Sequence, residues 1–310
     1  MFSLLLTTNL SARDIAFTHE GQTLNYTVID EEAKTVATRA GQFSRRGFVP
    51  GNQTEGALVI PKSIQEDGIS YQVIGIGEMS FQENKNLTSV RLPDSMLEIG
   101  EDAFAYCESL SEINFPDGIR NVGAGAFGST ALITISWPES TKEIKRSTFH
   151  DCKSLSSISI PHSVMYIDDY AFGRCASLTS IDVSGAIMIG QEAFDDTKTE
   201  LVEYDTEDPV DVPQSDYRYG SLFPYYVYQN ATLRMPEEGL AKAALVWPWC
   251  EFVHTESYDR DGVNSVFEST DSNVEVYTLS GVKIASGIES LAPGYYIVRR
   301  ASESRKILIK

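Results

Sequence analysis

The chemistry of this chain depends first on its four cysteines, Cys107, Cys152, Cys175 and Cys250. A thiol can bind a metal, form a disulfide or pack as a small apolar side chain. No CxxC pair and no paired histidines accompany these residues, which disfavours a metal site. Reduced structural thiols are the main prediction for Cys107, Cys152 and Cys175, with a Cys152–Cys175 disulfide as the alternative. Cys250 is predicted to pack in the core.

The four histidines do not form a recognisable catalytic pattern. They are His19, His150, His162 and His254, and none belongs to an HExxH motif. No GxSxG sequence marks a nucleophilic serine. The sequence therefore predicts no catalytic residue, no metal and no cofactor, and the protein is expected not to be an enzyme.

Two acidic segments are candidate cation sites. Residues 259–262, DRDG, resemble the start of a calcium loop but lack its further acidic ligand and terminal Glu, so a charged turn is favoured. The acidic stretch of residues 203–216 is predicted to be a solvated loop, with loose collection of cations as the alternative.

A repeat of 22 or 23 residues positions these side chains, as in LTSVRLPDSMLEIGEDAFAYCES, which begins at Leu87. Further copies begin at Leu110, Leu132, Leu155 and Leu178. Counting the leading Leu as position 0, apolar residues stand at positions 3 and 5, and a Pro at position 6 ends the predicted strand. Cys107, Cys152 and Cys175 all stand at position 20, which is why structural packing is their main prediction.

Stacked repeats bring equivalent residues above one another, because one copy is too small to bury its own core. Position 17 predicts a buried column of aromatic rings: Phe81, Phe104, Phe127, Phe149, Phe172 and Phe194. Position 12 predicts a second buried column: Ile76, Ile99, Val122, Ile144, Ile167 and Ile189.

The outer face of the strands is the candidate ligand-binding surface, because alternation turns positions 2 and 4 outward when positions 3 and 5 face the core. Seven strands at ~4.8 Å spacing give a face roughly 30 Å wide with hydroxyls at its centre. A merely solvated sheet is the alternative. The predicted pairs are Ser89/Arg91, Glu112/Asn114, Thr134/Ser136, Ser157/Ser159, Ser180/Asp182, Glu203/Asp205 and Thr232/Arg234.

The repeated pattern L-x-x-I-x-(I/L)-P, followed by A-F-x-x-C, closely resembles the BspA-like leucine-rich repeat family of bacterial surface proteins. The resemblance covers residues 22–258 and includes a closing segment ending in WPWCEF. It implies a repeat solenoid of the leucine-rich type with short parallel strands. It also implies adhesion to host or neighbouring-cell proteins as the function.

An aromatic cluster precedes the closing repeat and consists of Tyr217, Tyr219, Phe223, Tyr225, Tyr226 and Tyr228. Its predicted role is to fold an insertion onto the end of the stack. If Tyr217, Tyr219, Tyr225 and Tyr226 were exposed, they would instead offer a platform for a sugar or a protein loop. Glycan binding is therefore kept as an alternative function, beside a structural spacer.

Four segments are expected along the chain: a possible truncated signal segment (1–16), an N-terminal cap (17–54), the repeats with their closing cap (55–258) and a small antiparallel β module (259–310). The last resembles the C-terminal sorting domains of the type IX secretion pathway in NVEVYTLSGVKI and LAPGYYIV. Sorting or surface attachment is its predicted role, with a structural cap as the alternative. Both ends favour an extracellular or outer-surface location.

Charge and hydropathy restrict the partners. Lys+Arg 25 against Asp+Glu 44 gives a net charge of -19, which disfavours nucleic acid. No apolar run reaches the roughly 18 to 20 residues that span a bilayer. The expected partner is an extracellular protein, with a glycan possible, and the chain is expected to be a monomer.

Overall fold

The computed structural model divides the chain into two units, Met1–Ser257 and Tyr258–Lys310. Within the described residues, no helix has the length and apolar character needed to cross a membrane. The structure describes residues 13–44, 47–206, 208–209, 222–246, 248–258, 274–278, 283–284, 294–300 and 303–309.

The N-terminal cap is a mainly antiparallel sheet that joins the first repeat. β1 pairs with β2, β2 with β3, and β3 runs parallel to β8. β1 begins at Asp14, so residues 14–16 of the predicted signal segment lie in a paired strand, whereas residues 1–12 lie outside the described residues. The strands are β1 (Asp14–His19), β2 (Gln22–Asp30), β3 (Thr35–Thr38), β4 (Gln42–Ser44), β5 (Gly47–Val49), β6 (Gly56–Val59), β7 (Ser63–Glu66) and β8 (Ile69–Ile76).

Each repeat contributes two short strands rather than the one predicted. The first is the strand expected at positions 2 to 4, and the second holds the position-12 aliphatic residue. The elements are β9 (Leu87–Arg91), β10 (Glu98–Ile99), β11 (Glu112–Ile113), β12 (Asn121–Val122), β13 (Thr134–Ser136), β14 (Glu143–Ile144), β15 (Ser157–Ser159), β16 (Tyr166–Ile167), β17 (Ser180–Asp182), β18 (Met188–Ile189), β19 (Leu201–Glu203), α1 (Tyr225–Asn230), β20 (Thr232–Pro236), α2 (Glu237–Ala243), a 3-10 helix (Trp249–Glu251) and β21 (His254–Tyr258).

Successive repeats pair in parallel and in register on both sides of the core. First strands pair as β6–β9–β11, β13–β15 and β17–β19–β20. Second strands pair as β8–β10–β12 and β14–β16–β18. The predicted aliphatic column is confirmed, because all six of its members are at most 2% exposed.

The predicted phenylalanine column is also confirmed. All six rings are fully buried, and neighbouring rings stack with centroid distances from 5.3 Å (Phe81 to Phe104) to 5.8 Å (Phe127 to Phe149). The column continues beyond the prediction, since Phe223 stacks on Phe194 at 4.8 Å. Phe223 is separated from the repeats by the insertion, so its place in the column was not visible from the period.

The turn around each of these rings uses the left-handed backbone region twice. In the repeat of Phe104, Asp102 has φ 50° and Tyr106 has φ 61°, and the residues two before and two after the Phe behave alike in all six copies. This conformation aims alternate N–H groups at the next repeat, where Asp102, Phe104 and Tyr106 donate to carbonyls at 2.9, 2.8 and 2.8 Å. The energetic cost of the left-handed backbone conformation is thus offset by hydrogen bonds whose acceptors lie in the stacked neighbour.

The C-terminal unit contains four strands in the order β23–β22–β24–β25, all paired antiparallel. The long β24–β25 pairing joins residues whose connection is short, as in a hairpin. The strands are β22 (Val274–Thr278), β23 (Lys283–Ile284), β24 (Gly294–Arg300) and β25 (Glu303–Ile309).

Removing a ring from the column should be strongly destabilising. Phe127→Ala and Phe149→Ala are each expected to lower the free energy of unfolding by about 3 to 5 kcal/mol, because flanking rings cannot collapse into the gap. Denaturant unfolding measures this, with the exposed Ser157→Ala as the control. A loss below about 1 kcal/mol at both positions would show that the column does not support the fold.

Candidate interaction surface

The outer face of the first strands carries exposed polar residues, as predicted from alternation. In β13 and β15, Ile135 and Ile158 point into the core, while the residues on either side of them are exposed. The pairing places Thr134 beside Ser157 and Ser136 beside Ser159. These four hydroxyl groups form no side-chain hydrogen bond to another described residue. We call Thr134, Ser136, Ser157 and Ser159 the hydroxyl patch.

Asn114, one of the predicted face residues, helps to hold neighbouring repeats together. Asn114 accepts a hydrogen bond from the Leu92 N–H at 2.7 Å and donates to the Leu92 carbonyl at 3.0 Å. It thereby replaces backbone pairing where β11 has already ended. Asn114 is exposed, but its amide is occupied by the preceding repeat.

Asp182 stands in the repeat that has Ser184 in place of the usual Pro. Its carboxylate accepts hydrogen bonds from the Ser184 N–H and hydroxyl, and lies 3.8 Å from His162 Nε2. Burial alone would raise the pKa of Asp182, but the nearby His162 imidazole and the hydrogen bonds from Ser184 lower it below its ordinary value. Asp182 thus stabilises a local turn as well as bordering the face.

The two ends of the face carry arginines of different character. Arg91 is exposed at the end of β9. Arg234 in β20 lies beside Glu203, with 3.3 Å between its Nη1 and the Glu203 Oε1. Arg91 is therefore the more accessible cation for a partner.

The predicted pair Glu203/Asp205 is wrong by one step of the alternation. Leu201 pairs with Ser180 and Glu203 with Asp182, so the outward pair is Leu201/Glu203. Thr199 is fully buried at the leading position where other repeats have Leu, and its hydroxyl donates to the Leu178 carbonyl at 3.3 Å. The sequence placed Leu201 there because a buried Thr does not look like a core residue.

The aromatic cluster divides into a buried and an exposed part. Phe223 and Tyr228 are buried and both contact the ring of Phe252, which agrees with the prediction that the insertion packs on the stack. On α1, Tyr225 is 75% and Tyr226 57% exposed. Tyr217 and Tyr219 lie outside the described residues.

Comparison with known proteins agrees with this architecture. The family model described as "BspA type Leucine rich repeat region" matches residues 74–200 in six copies. These residues are therefore similar to a BspA-type leucine-rich repeat region. No curated protein matches the chain.

Solved structures similar to the chain include three from bacteria. The pneumococcal vaccine antigen PcpA has TM-score 0.51 and 17% identity, over 72% of this chain and 65% of that one, and shows a shared fold. A leucine rich cell surface protein from Faecalibacterium prausnitzii has TM-score 0.44 and 20% identity, over 74% and 73% of the chains. A leucine-rich repeat protein from Bacteroides ovatus has TM-score 0.40 and 17% identity, over 81% and 76%.

The cysteines of the leucine-rich repeats are free and buried, as predicted. Each donates from its thiol to the carbonyl of the Phe one repeat earlier: Cys107 to Phe81 at 3.1 Å and Cys152 to Phe127 at 3.0 Å. Thr130 fills the same slot, and its hydroxyl donates instead to Phe127 of its own repeat at 2.9 Å. The cysteines at position 20 therefore join the turns of neighbouring repeats by hydrogen bonds.

Cys250 corrects the sequence prediction, because it is exposed rather than core. It lies in the 3-10 helix, where the neighbouring Trp249 takes the buried side and packs on Tyr204 with 4.7 Å between ring centroids. Trp247, the other predicted neighbour, lies outside the described residues. A short helix turns adjacent residues in different directions, so only one of the two can face the core.

The two candidate cation segments lie only partly within the described residues. Among the described residues, no three His, Cys, Asp or Glu side chains are placed to share a metal ion. Of the acidic stretch, Glu203, Asp205 and Asp208 are described, whereas Glu207, Asp211 and Asp216 are not, and residues 259–262 also lie outside the described part.

Thiol reactivity should separate the two classes of cysteine. Burial raises the pKa of Cys107 to about 12 and of Cys152 to about 11, and also raises that of Cys175. These thiols therefore stay protonated at pH 8, where a thiolate-specific reagent is expected to titrate Cys250 alone in the native protein. In denaturant without reductant all four should react. Two missing thiols would instead reveal a Cys152–Cys175 disulfide.

Proposed function

We propose that this chain is a non-catalytic protein-binding module displayed outside the cell, and that its partner contacts the outer face of the first strands. The hydroxyl patch is the observation that carries the proposal. Its four side chains are exposed, and the paired strands that carry them are held in place by buried residues on their inner face. None of the four hydroxyl groups forms a side-chain hydrogen bond to another described residue, so all four remain available to a partner.

The dimensions of the face limit how a partner can bind. A surface of roughly 30 Å by 10 Å offers ~300 Å², whereas a stable protein interface buries ~800 Å² on each side. A partner must therefore also contact the loops that flank the strands. Because hydroxyl groups supply hydrogen bonds but few aromatic anchors, we expect the affinity to be moderate.

Charge indicates the partner's character. With a net charge of -19, the chain attracts surfaces with a basic patch and repels acidic ones. Association with such a protein accelerates at low salt and slows as salt is added. An extracellular protein with a basic region is the partner class that this combination favours.

The proposed location rests on the two ends of the sequence. The apolar start resembles the end of a secretory signal, and the last segment resembles type IX sorting domains. The antiparallel pairing of β22 to β25 is compatible with a small separate module of this kind. We propose that this module provides sorting or attachment while the repeats bind.

A glycan is the second candidate ligand, because Tyr225 and Tyr226 expose aromatic rings on α1. Aromatic rings with a polar tip suit surfaces that contact sugars or protein loops. Binding that does not respond to salt and is lost in the double variant Tyr225→Ala with Tyr226→Ala would favour this candidate.

A charge placed in the hydroxyl patch tests the main proposal. The partner is first identified by screening the full chain against immobilised extracellular matrix proteins. Ser136→Arg is then expected to weaken binding to this partner by about tenfold or more. The reason is that the long cationic side chain repels a basic partner and blocks the face. Ser70→Arg, exposed in β8 among the second strands and away from the first-strand face, is the control. Equal effects of both variants, or no effect of Ser136→Arg, would contradict binding through this face.

A further inference from the structure

A notch interrupts the side of the repeats next to the strand face, and its origin is a missing residue. Between Phe127 and Leu132 the chain reads GSTA, whereas the repeats before and after it read AYCES and HDCKS at the same place. The shorter turn withdraws from the surface between two longer ones. The resulting cavity has a volume of about 480 Å³, within the roughly 300 to 1,000 Å³ typical of small-ligand sites.

Tyr106 forms one wall of the notch and is 50% exposed. It occupies the second left-handed position of its turn, with φ 61°. A bulky side chain is costly in this region of backbone space, and the other repeats place small or charged residues there. Those residues are Glu83, Ser129, Asp151, Arg174 and Asp196.

The opposite wall and the rim supply charged hydrogen-bonding groups. Asp151 is largely buried, and its Oδ1 lies 3.4 Å from Lys153 Nζ and 3.6 Å from Arg174 Nε. Lys153 lines the notch with its side chain 66% exposed, and Glu108 reaches it from the Tyr106 side with 57% exposure. Glu108 is positioned by Lys85, whose Nζ lies 2.8 Å away.

This arrangement selects among ligand classes. An apolar ligand would cover the charged groups without forming hydrogen bonds to them, which is costly. The carboxylates of Glu108 and Asp151 each lie beside a cation, Lys85 and Arg174 respectively, and Lys153 lies 3.4 Å from Asp151, so a charged ligand of either sign finds no unpaired countercharge among these groups. A neutral ligand with one apolar face and several hydroxyl groups satisfies both the ring and the charges.

We propose that the notch binds one hexopyranose ring of a neutral glycan. The C–H face of the sugar packs on the Tyr106 ring, and its hydroxyl groups donate to Glu108 and Asp151 and accept from Lys153. The lining of the notch includes no residue of the hydroxyl patch and neither Tyr225 nor Tyr226, so it adds a second ligand to the protein-binding function proposed above.

Saturation-transfer NMR on the full chain tests the proposal. The probes are the methyl glycosides of glucose, galactose, mannose and N-acetylglucosamine, with glucuronate as the anionic control and arginine methyl ester as the cationic one. We expect at least one methyl glycoside to receive saturation on its ring C–H protons, and glucuronate to receive none. If no methyl glycoside responds, or if arginine methyl ester alone binds in the notch, the sugar proposal is wrong.

Three variants locate the binding. Tyr106→Asn removes the ring while Asn tolerates the left-handed backbone, and should weaken sugar binding by about tenfold with an unchanged melting temperature. Insertion of Ser between Thr130 and Ala131 restores the longer turn, fills the notch and should also reduce binding. Asp196→Asn, at the equivalent left-handed position of a later repeat and outside the lining of the notch, is the matched control and should bind as the parent does. Sugar binding that survives both notch variants, or that is lost with Asp196→Asn, overturns the proposal.

Discussion

The fold depends on hydrogen bonds that a repeat cannot make without its neighbour. In each turn, alternate N–H groups point along the stack and find carbonyls only in the next copy, as for Phe127 to Thr148 at 3.0 Å and Phe149 to Ala171 at 2.9 Å. A lone repeat would leave these N–H groups bonded to water and its ring exposed, so it would gain neither the hydrogen bonds nor the burial that stacking provides. Within the stack the rings exclude water from the turn, so an N–H left unpaired there would cost about as much as the hydrogen bond is worth.

Where a repeat departs from the regular sequence, a side chain supplies the hydrogen bonds that the backbone no longer forms. Asn114 replaces ladder bonds where β11 ends early, and Ser184 with Asp182 forms a turn where Pro is absent. Where a turn loses one residue, Thr130 bonds within its own repeat, whereas Cys152 bonds across to the previous one. The hydroxyl patch, by contrast, forms no side-chain hydrogen bond to another described residue, which is why we propose that a partner binds there.

Periodicity predicted what the stack itself requires. The phenylalanine column, the aliphatic column and the buried thiols each follow from identical residues in successive copies, since stacking puts equivalent positions together. The period did not predict residues whose surroundings differ from one copy to the next or that lie outside the repeats. Thr199 replaces a leading Leu and so moved the predicted outward pair to Glu203/Asp205, Phe223 joins the column from an insertion, and Cys250 lies in a cap without a repeat. The second strand was missed because two residues are too few for an alternation to show. Tyr106 was missed because its significance lies in the length of the neighbouring turn.

Amide hydrogen exchange of the full chain tests the stacking account most directly. The amides of Phe104, Phe127, Phe149 and Phe172, which donate across repeats, should exchange about a thousandfold more slowly than the amide of the exposed turn residue Glu108. Slow amides should recur at the period of the sequence, two residues before, at and two residues after each Phe. Exchange of the Phe amides as fast as that of Glu108 would mean that the repeats do not hold one another in register.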